Sequence, residues 1–450
     1  MSLPVSVPTG AGTPIPLESL LQERLTEAAA RFGTPLYVVD VAAMNAAASA
    51  VERAFPSPWV WQYSLKANDL PAVVDVVAAR GWGANVVSTG EWASARDAGV
   101  PVGRTTLEGV GKTDADLRAA VEQAVTTPSL RWVAVESADE LYRLAELHRE
   151  RRTALGGDLE LPVLLRLNPD VAPETAPGLA VGLATSKFGL SAPDLEALAD
   201  ADVWQGGLRL RGIHVHMGSH LRDVTAWATA GRRAVELLDR IREIHARPEA
   251  LDVIDFGGGF PANGSRPAPE DFADALAAEL DAAGLSLPPV PAIEPGRVVV
   301  GAAGWLVAEV LHTRMRGDQA QVILDAGMTE LIRPALYGSR HDVTALTGGE
   351  AVEMGEVAVH GAVCESTDTF GLHQLPRLRR GDLVVVHEAG AYSASFSSHY
   401  NGRPTASEVL LLPDGTLRLA ERTPPPARHI TVELTRALDG AAPGPERSHA

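Results

Sequence analysis

Tyr63-Ser64-Leu65-Lys66-Ala67-Asn68 closes the apolar run Trp59-Val60-Trp61-Gln62, immediately ahead of a helical pattern. A lysine at the exit of a buried strand costs desolvation energy unless an amine is needed there; otherwise it is a strand-end cation reaching solvent. A desolvated amine can lose its proton and form a Schiff base with an aldehyde, so Lys66 is the candidate nucleophile.

Other residues extend the chemistry. Gly257-Gly258-Gly259 follows a strand-like run, where amides without side chains could approach a phosphate beside the next helix N-terminus. Glu294-Pro295-Gly296-Arg297 offers a carboxylate that could keep a pyridine nitrogen protonated, although a helix cap or a surface ion pair would use the same residue. His216 could stack on a planar ring. His214 and His216, two apart on a strand, share a face. A zinc site is disfavoured because no cysteine or carboxylate near them in sequence completes the ligand set, and no metal is expected.

These residues need elements to position them. Strand-like runs at Trp59–Lys66, Ala84–Ser88, Thr105–Val110, Trp132–Glu136, Val163–Asn168, Leu208–Met217, Val253–Gly258 and Val290–Glu294 alternate with helical patterns such as Leu70–Ala79, Ala115–Ala124, Ala138–Arg149, Ala192–Ala199, Thr225–Ile244 and Pro269–Ala283. Eight short apolar strands between helices predict an α/β fold, a closed parallel (β/α)₈ barrel, with an open doubly wound sheet as the alternative. The barrel is favoured by position. Lys66, Ser88 with Glu91, Glu108, Arg166 with Asn168, His214 with His216, the glycines and Glu294 with Arg297 all fall at or beyond strand C-terminal ends, which a barrel gathers at one mouth.

Beyond about Val300, strand patterns at Val307–Thr313, Gln321–Asp325, Val357–Val363, Leu383–His387 and Val409–Leu412 lack long helices between them, which predicts a β-rich, Greek-key-like C-terminal domain. The expected division is an N-terminal segment 1–32 that partly packs on the β domain, a barrel over 33–300, the β domain over 301–439 and a polar tail over 440–450.

Composition sets limits. The chain has 450 residues, 46% hydrophobic and 21% charged, enough apolar material for a large core. Lysine and arginine number 39 against 57 acids, a net charge of −18 that suits neither nucleic acid nor an anionic membrane. The single cysteine, Cys364, excludes an intrachain disulfide and fits a reducing cytoplasmic setting. Met1 to Pro16 carries neither a basic nor an apolar leader segment, so neither a signal peptide nor a membrane span is expected.

Ten ordered motifs carry a family resemblance: Tyr-Ser-Leu-Lys-Ala-Asn at 63–68, Ser-Thr-Gly-Glu at 88–91, Ser-Lys-Phe-Gly at 186–189, His-Val-His-Met-Gly-Ser at 214–219, Gly-Gly-Gly at 257–259, Glu-Pro-Gly-Arg at 294–297, Asp-Ala-Gly-Met at 325–328, Arg-Pro-Ala-Leu-Tyr at 333–337, Cys-Glu-Ser at 364–366 and Gly-Ala-Tyr at 390–392. From Phe32 to Arg422 the set resembles the fold-type III decarboxylases that use pyridoxal 5′-phosphate, and within them the diaminopimelate decarboxylases. The resemblance implies that Lys66 carries the cofactor, His216 stacks on its ring and Glu294 meets the pyridine nitrogen. Ser219, Gly257, Gly258, Gly259, Arg297 and Tyr392 would surround the phosphate or the adjoining substrate end, and Arg297, Arg333 and Tyr337 would bind a substrate carboxylate. The family is typically homodimeric, so Cys364 and Glu365 would enter the neighbour's site, the first as proton donor to Cα and the second as reader of the distal ammonium.

The implied reaction is conversion of meso-diaminopimelate to L-lysine and carbon dioxide. Departures from the family pattern stand at Phe260-Pro261-Ala262-Asn263 and at Ser366-Thr367-Asp368-Thr369-Phe370, and they keep open a related decarboxylase of another amino acid, free or carrier-bound. A racemase on the same barrel, which typically sets an arginine at the pyridine nitrogen, and a non-catalytic regulator are further alternatives.

Overall fold

The computed structural model describes residues 17–125, 128–155, 160–175, 177–346 and 354–422, so the expectations for the first sixteen residues and for the tail lie outside the described residues. Strand β1 (Leu36–Asp40) precedes the eight strands of a closed parallel barrel: β2 (Val60–Ser64), β3 (Gly83–Val86), β4 (Thr105–Leu107), β5 (Trp132–Val135), β6 (Leu161–Leu167), β7 (Leu208–Val215), β8 (Val253–Asp255) and β9 (Val290–Ile293). All eight predicted barrel strands are present, and β2 pairs with β9 to close the ring.

The strands alternate inward and outward positions. Inward-facing Val60, Trp132, Ala134, Leu164, Val253, Val290 and Ala292 pack together and fill the lower barrel. The outward residues meet the surrounding helices, of which Thr225–Ile244 buries Trp227, Ala230, Ala234, Leu238 and Ile241 along one face. Phe260, one of the departures from the family pattern, is a core residue: its ring lies 5.6 Å from Phe55, 5.9 Å from Trp227 and 5.0 Å from Phe272. It closes an aromatic cluster between the barrel and its helices.

The second domain is a nine-stranded mixed sheet of β1 with β10 (Gly304–Arg316), β11 (Gln319–Leu324), β12 (Val343–Ala345), β13 (Gly355–His360), β14 (Thr369–Leu375), β15 (Leu383–Val386), β16 (Ser407–Leu411) and β17 (Leu417–Ala420). Its main path runs β14-β13-β11-β10-β1-β16-β17, with β15 against β10 and β12. Strand β1 corrects the expected boundary. Residues 36–40 pair antiparallel with β10 and parallel with β16, so they belong to the sheet rather than to the barrel. The apolar Leu-Tyr-Val-Val run suits either location, and only the pairing distinguishes them. The sheet is thus built from both ends of the chain. The helix Ser19–Phe32 packs Leu25, Ala28 and Ala29 against it.

Among the described residues, no helix is long and apolar enough to cross a membrane.

Candidate active site

Each barrel strand contributes one polar side chain within a residue of its C-terminal end: Ser64, Asn85, Glu108, Glu136, Arg166, His214, Asp255 and Glu294. All eight are buried. They form a polar layer directly above the apolar fill, because the next inward position on each strand is the last before the chain leaves the barrel. Strand register pairs Ser64 with Asn85, and sets Arg166, His214 and Asp255 side by side.

Charges in this layer are partly matched. Arg166 Nη1 donates to Glu136 Oε1 at 2.6 Å. His214 Nε2 lies 2.9 Å from Glu294 Oε1 and 3.5 Å from Glu108 Oε2. Neither contact is a hydrogen bond, and among the described residues both carboxylate oxygens of Glu294 and both ring nitrogens of His214 lack a hydrogen-bond partner. Burial lowers the His214 pKa to about 4, leaving the imidazole neutral. Burial, reinforced by the charge of Glu294, raises Glu108 to about 7 and pushes Asp255 well above the carboxylate range.

Lys66 stands above this layer on the turn Leu65–Ala67 that follows β2. It lines a cavity of about 170 Å³ together with His216, Ser219, Gly259, Glu294, Arg297, Arg333, Tyr337 and Tyr392. Nine predicted site residues from distant parts of the chain therefore meet in one place. The expectation that desolvation would free the Lys66 amine of its proton needs correction. Burial does disfavour the ammonium, but the charges of Glu294, Tyr392 and Glu108 outweigh it and the pKa rises. Lys66 thus carries a positive charge that Glu294 attracts.

His216 Nδ1 accepts the Gly258 amide at 3.1 Å, which fixes that nitrogen as the bare one of the neutral ring. Burial and the nearby Lys66 charge hold the His216 pKa well below its ordinary value. The glycine triplet is tighter than expected. A Cβ on Gly257, at φ 69°, would sit 2.6 Å from Val215 O and 2.7 Å from His216 Nδ1. The Gly257 amide donates to Asp255 Oδ1 at 2.9 Å, so two of the three amides are committed within the protein and Gly259 is the member that lines the cavity.

Arg297 begins the short helix after β9, is buried, donates from Nη2 to Ser219 Oγ at 2.9 Å and lies 4.6 Å over the Tyr392 ring. Among the described residues its Nε has no hydrogen-bond partner, and burial lowers its pKa. Tyr392 comes from the β domain. It holds a left-handed φ of 56°, unusual for an aromatic residue, while its amide donates to Ala67 O at 2.7 Å. Arg333 is likewise buried, its pKa lowered to about 10 by burial and by the charge of Arg297.

Cys364 and Glu365 are not brought into this cavity. Both lie exposed on the loop between β13 and β14, where Glu365 accepts a hydrogen bond from Tyr400 Oη at 2.6 Å. Ser88 and Glu91 act as caps: Ser88 Oγ accepts the Glu91 amide and Glu91 Oε2 accepts the Val87 amide. The argument against a metal also needs correction, because folding brings Glu294 beside both histidines, with ligand atoms within 4.8 Å of one another. His216 Nδ1, however, is already taken by the Gly258 amide.

Sequence reasoning missed Asn85, Glu136, Asp255, Ser395, Phe396 and His341. Asp255 could have been found as an acid within the apolar run Val253-Ile254-Asp255-Phe256. Glu136 closes the apolar run Trp132-Val133-Ala134-Val135 and carries the same signal, whereas Asn85, Ser395, Phe396 and His341 carry none.

The residues present fit pyridoxal phosphate. Buried carboxylate oxygens without partners among the described residues suit a protonated ring nitrogen, a buried arginine and a glycine-lined wall suit a phosphate, and a lysine lines the same cavity. A closed parallel barrel bearing these groups at its mouth, beside a β domain that completes the cavity wall, defines the fold-type III class of pyridoxal phosphate enzymes. The pattern described as "pyridoxal-dependent decarboxylase, pyridoxal binding domain" matches residues 41–301, and the chain belongs to that family. The match begins immediately after β1 and agrees with the corrected boundary. A diaminopimelate decarboxylase of Aquifex aeolicus is 33% identical over 405 residues, covering 88% of this chain and 91% of that protein. The Helicobacter pylori diaminopimelate decarboxylase crystallised with L-lysine superposes with a TM-score of 0.76 at 29% identity, over 88% of this chain and 95% of that one. The lysine/ornithine decarboxylase of Vibrio vulnificus, at TM-score 0.73 and 24% identity over 88% of this chain and 99% of that one, shares the fold.

Proposed function

We propose that this protein removes the carboxyl group of meso-diaminopimelate to give L-lysine and carbon dioxide. The observation that carries the reading is the charge of the cavity. A lysine and an acid set for the cofactor are joined by two buried arginines: Arg297, beside Ser219, is matched by the cofactor phosphate, while Arg333 keeps a positive charge with no ion pair among the described residues. A substrate with a second carboxylate would balance that excess, whereas a plain diamino acid would add positive charge to it. The named relatives that span nearly the whole chain support this choice.

Pyridoxal phosphate, when bound, supplies an aldehyde for an amine and a ring that accepts an electron pair from Cα. Lys66 would provide the amine that holds the cofactor. Glu294 would hold a proton on the ring nitrogen, since its carboxylate is buried and lines the cavity. His216 offers the flat face of a neutral imidazole. Arg297, Ser219 and Gly259 would hold the phosphate. Arg333, Tyr337 and Tyr392 bind the substrate, with a guanidinium for its carboxylate.

A second copy of the chain completes the site, giving a homodimer. Cys364 of the partner subunit returns a proton to Cα after carbon dioxide leaves, and the partner's Glu365 meets the distal ammonium. Their exposure on one chain, outside its own cavity, is what supports this assignment. A thiol proton donor also suits the reducing cytoplasm.

The test is carbon dioxide release from meso-diaminopimelate, lysine, ornithine, arginine and glutamate by purified holoenzyme. Turnover of meso-diaminopimelate, with KM raised at least about tenfold in Arg333→Ala, is expected; turnover of ornithine alone would refute the substrate.

A further inference from the structure

Arg333 begins the helix Arg333–Tyr337 and reaches the cavity from the β-domain side. Its Nη1 lies 2.9 Å from His341 Nε2, and its Nη2 donates to Ser339 Oγ at 3.4 Å. His341 is buried, and its Nδ1 lies 2.9 Å from the main-chain oxygen of His387.

The partners decide the state of the imidazole. A guanidinium has donors and no acceptor, so Nε2 must be bare; a carbonyl oxygen can only accept, so Nδ1 must carry the hydrogen. A second proton would set an N–H against the Arg333 N–H groups. Burial, followed by the Arg333 charge, accordingly holds the His341 pKa at about 3. His341 is therefore a neutral acceptor tied to the main chain on one side and to the guanidinium on the other.

We propose that His341 is a positioning residue for substrate recognition: it orients the Arg333 guanidinium without neutralising it, leaving the full positive charge for a substrate carboxylate. The choice of residue follows from that task. A carboxylate at 341 would hold the guanidinium at least as firmly but would pair with its charge, and the cavity would lose part of its attraction for an anion. An alanine would leave the charge but release the fork, so its donors would no longer be pre-aimed. The inference rests on the reading that Arg333 meets a substrate carboxylate.

The experiment uses the holoenzyme with meso-diaminopimelate as substrate and glutarate as a dicarboxylate inhibitor that has no amine to react with the cofactor. KM, kcat, the glutarate inhibition constant and the melting temperature are measured for wild type, His341→Ala, His341→Gln, His341→Glu and Arg333→Ala. His341→Ala is expected to raise KM and the inhibition constant together, by about tenfold, as for loss of one charge-assisted hydrogen bond, with kcat within about a factor of two. His341→Gln, whose amide oxygen can accept, recovers most of the loss. His341→Glu melts no lower than His341→Ala yet binds both ligands more weakly than it does. If His341→Ala does not fold, the contrast between Gln and Glu decides the question on its own. Ligand affinities of His341→Glu and His341→Gln equal to wild type, or a fall in kcat alone, overturn the proposal while Arg333→Ala still impairs binding. If Arg333→Ala binds both ligands like wild type, the carboxylate reading fails as well, and the proposal with it.

Discussion

The hydroxyl of Ser395 donates to the main-chain oxygen of Lys66 at 3.0 Å. The donor belongs to the β domain and the acceptor to the barrel. Two further bonds accompany it: Tyr392 N to Ala67 O at 2.7 Å and Asn68 Nδ2 to Gly390 O at 3.1 Å. The loop 390–395 thus clamps both sides of the lysine turn, so the placement of Lys66 depends on the docking of both domains.

Replacement of Glu294 by glutamine removes the anion facing the ring nitrogen while keeping its shape. We expect kcat to fall by about a hundredfold or more, the scale of losing one preorganised electrostatic contact. Cofactor content, measured by absorbance after denaturation, should stay near one per chain. Retention of wild-type kcat would remove Glu294 from the mechanism.

Cofactor loading of the stripped protein should depend on pH through Lys66. The amine attacks only when unprotonated, and Glu294 is the strongest influence raising its pKa against the opposing effect of burial. Loading should therefore accelerate as pH rises. In Glu294→Gln the Lys66 pKa falls, so the same acceleration should appear at lower pH. Stopped-flow absorbance at the imine band reads both, and coincident profiles would contradict the assignment.

Glu108 gives a stability signature of defined sign. Its folded pKa of about 7 lies above the unfolded value of about 4.3. The folded state therefore binds more protons between these limits, and this group makes the protein less stable as pH rises through that window. The melting temperature of Glu108→Gln should fall less than that of wild type between pH 5 and pH 7. Parallel curves would mean that Glu108 is ionised throughout.

Shared active sites predict complementation. Lys66→Ala and Cys364→Ala are each expected to be inactive. Mixed and allowed to exchange subunits, they should regain about a quarter of wild-type activity, since half the dimers carry one intact site each. Gel filtration checks the dimer. No recovery despite exchange would place the action of Cys364 within its own chain or remove it from the site.

The sequence by itself determined the barrel, because strands buried on both faces read as short apolar runs and the helices between them show one apolar side. It also determined the identities of Lys66, Glu294, His216 and Arg297, since polar residues at or just beyond the ends of apolar strands stand out wherever they occur, whereas Arg333, at the start of a short helix, was named only through the family resemblance. The β domain was less legible. The short β12, glycine-interrupted β14 and half-exposed β17 gave weak patterns, and β1 reads the same whether it pairs with the barrel or the sheet. Only the tertiary structure decided that Glu294 stands unsatisfied beside His214, that Asp255 and His216 claim two of the glycine amides, and that His341 is a bare acceptor behind Arg333. Residue type and spacing reveal which groups can ionise or donate. Protonation and direction depend on burial and on the neighbours that distant strands bring within about 3 Å, and those are properties of the closed barrel and its docked sheet.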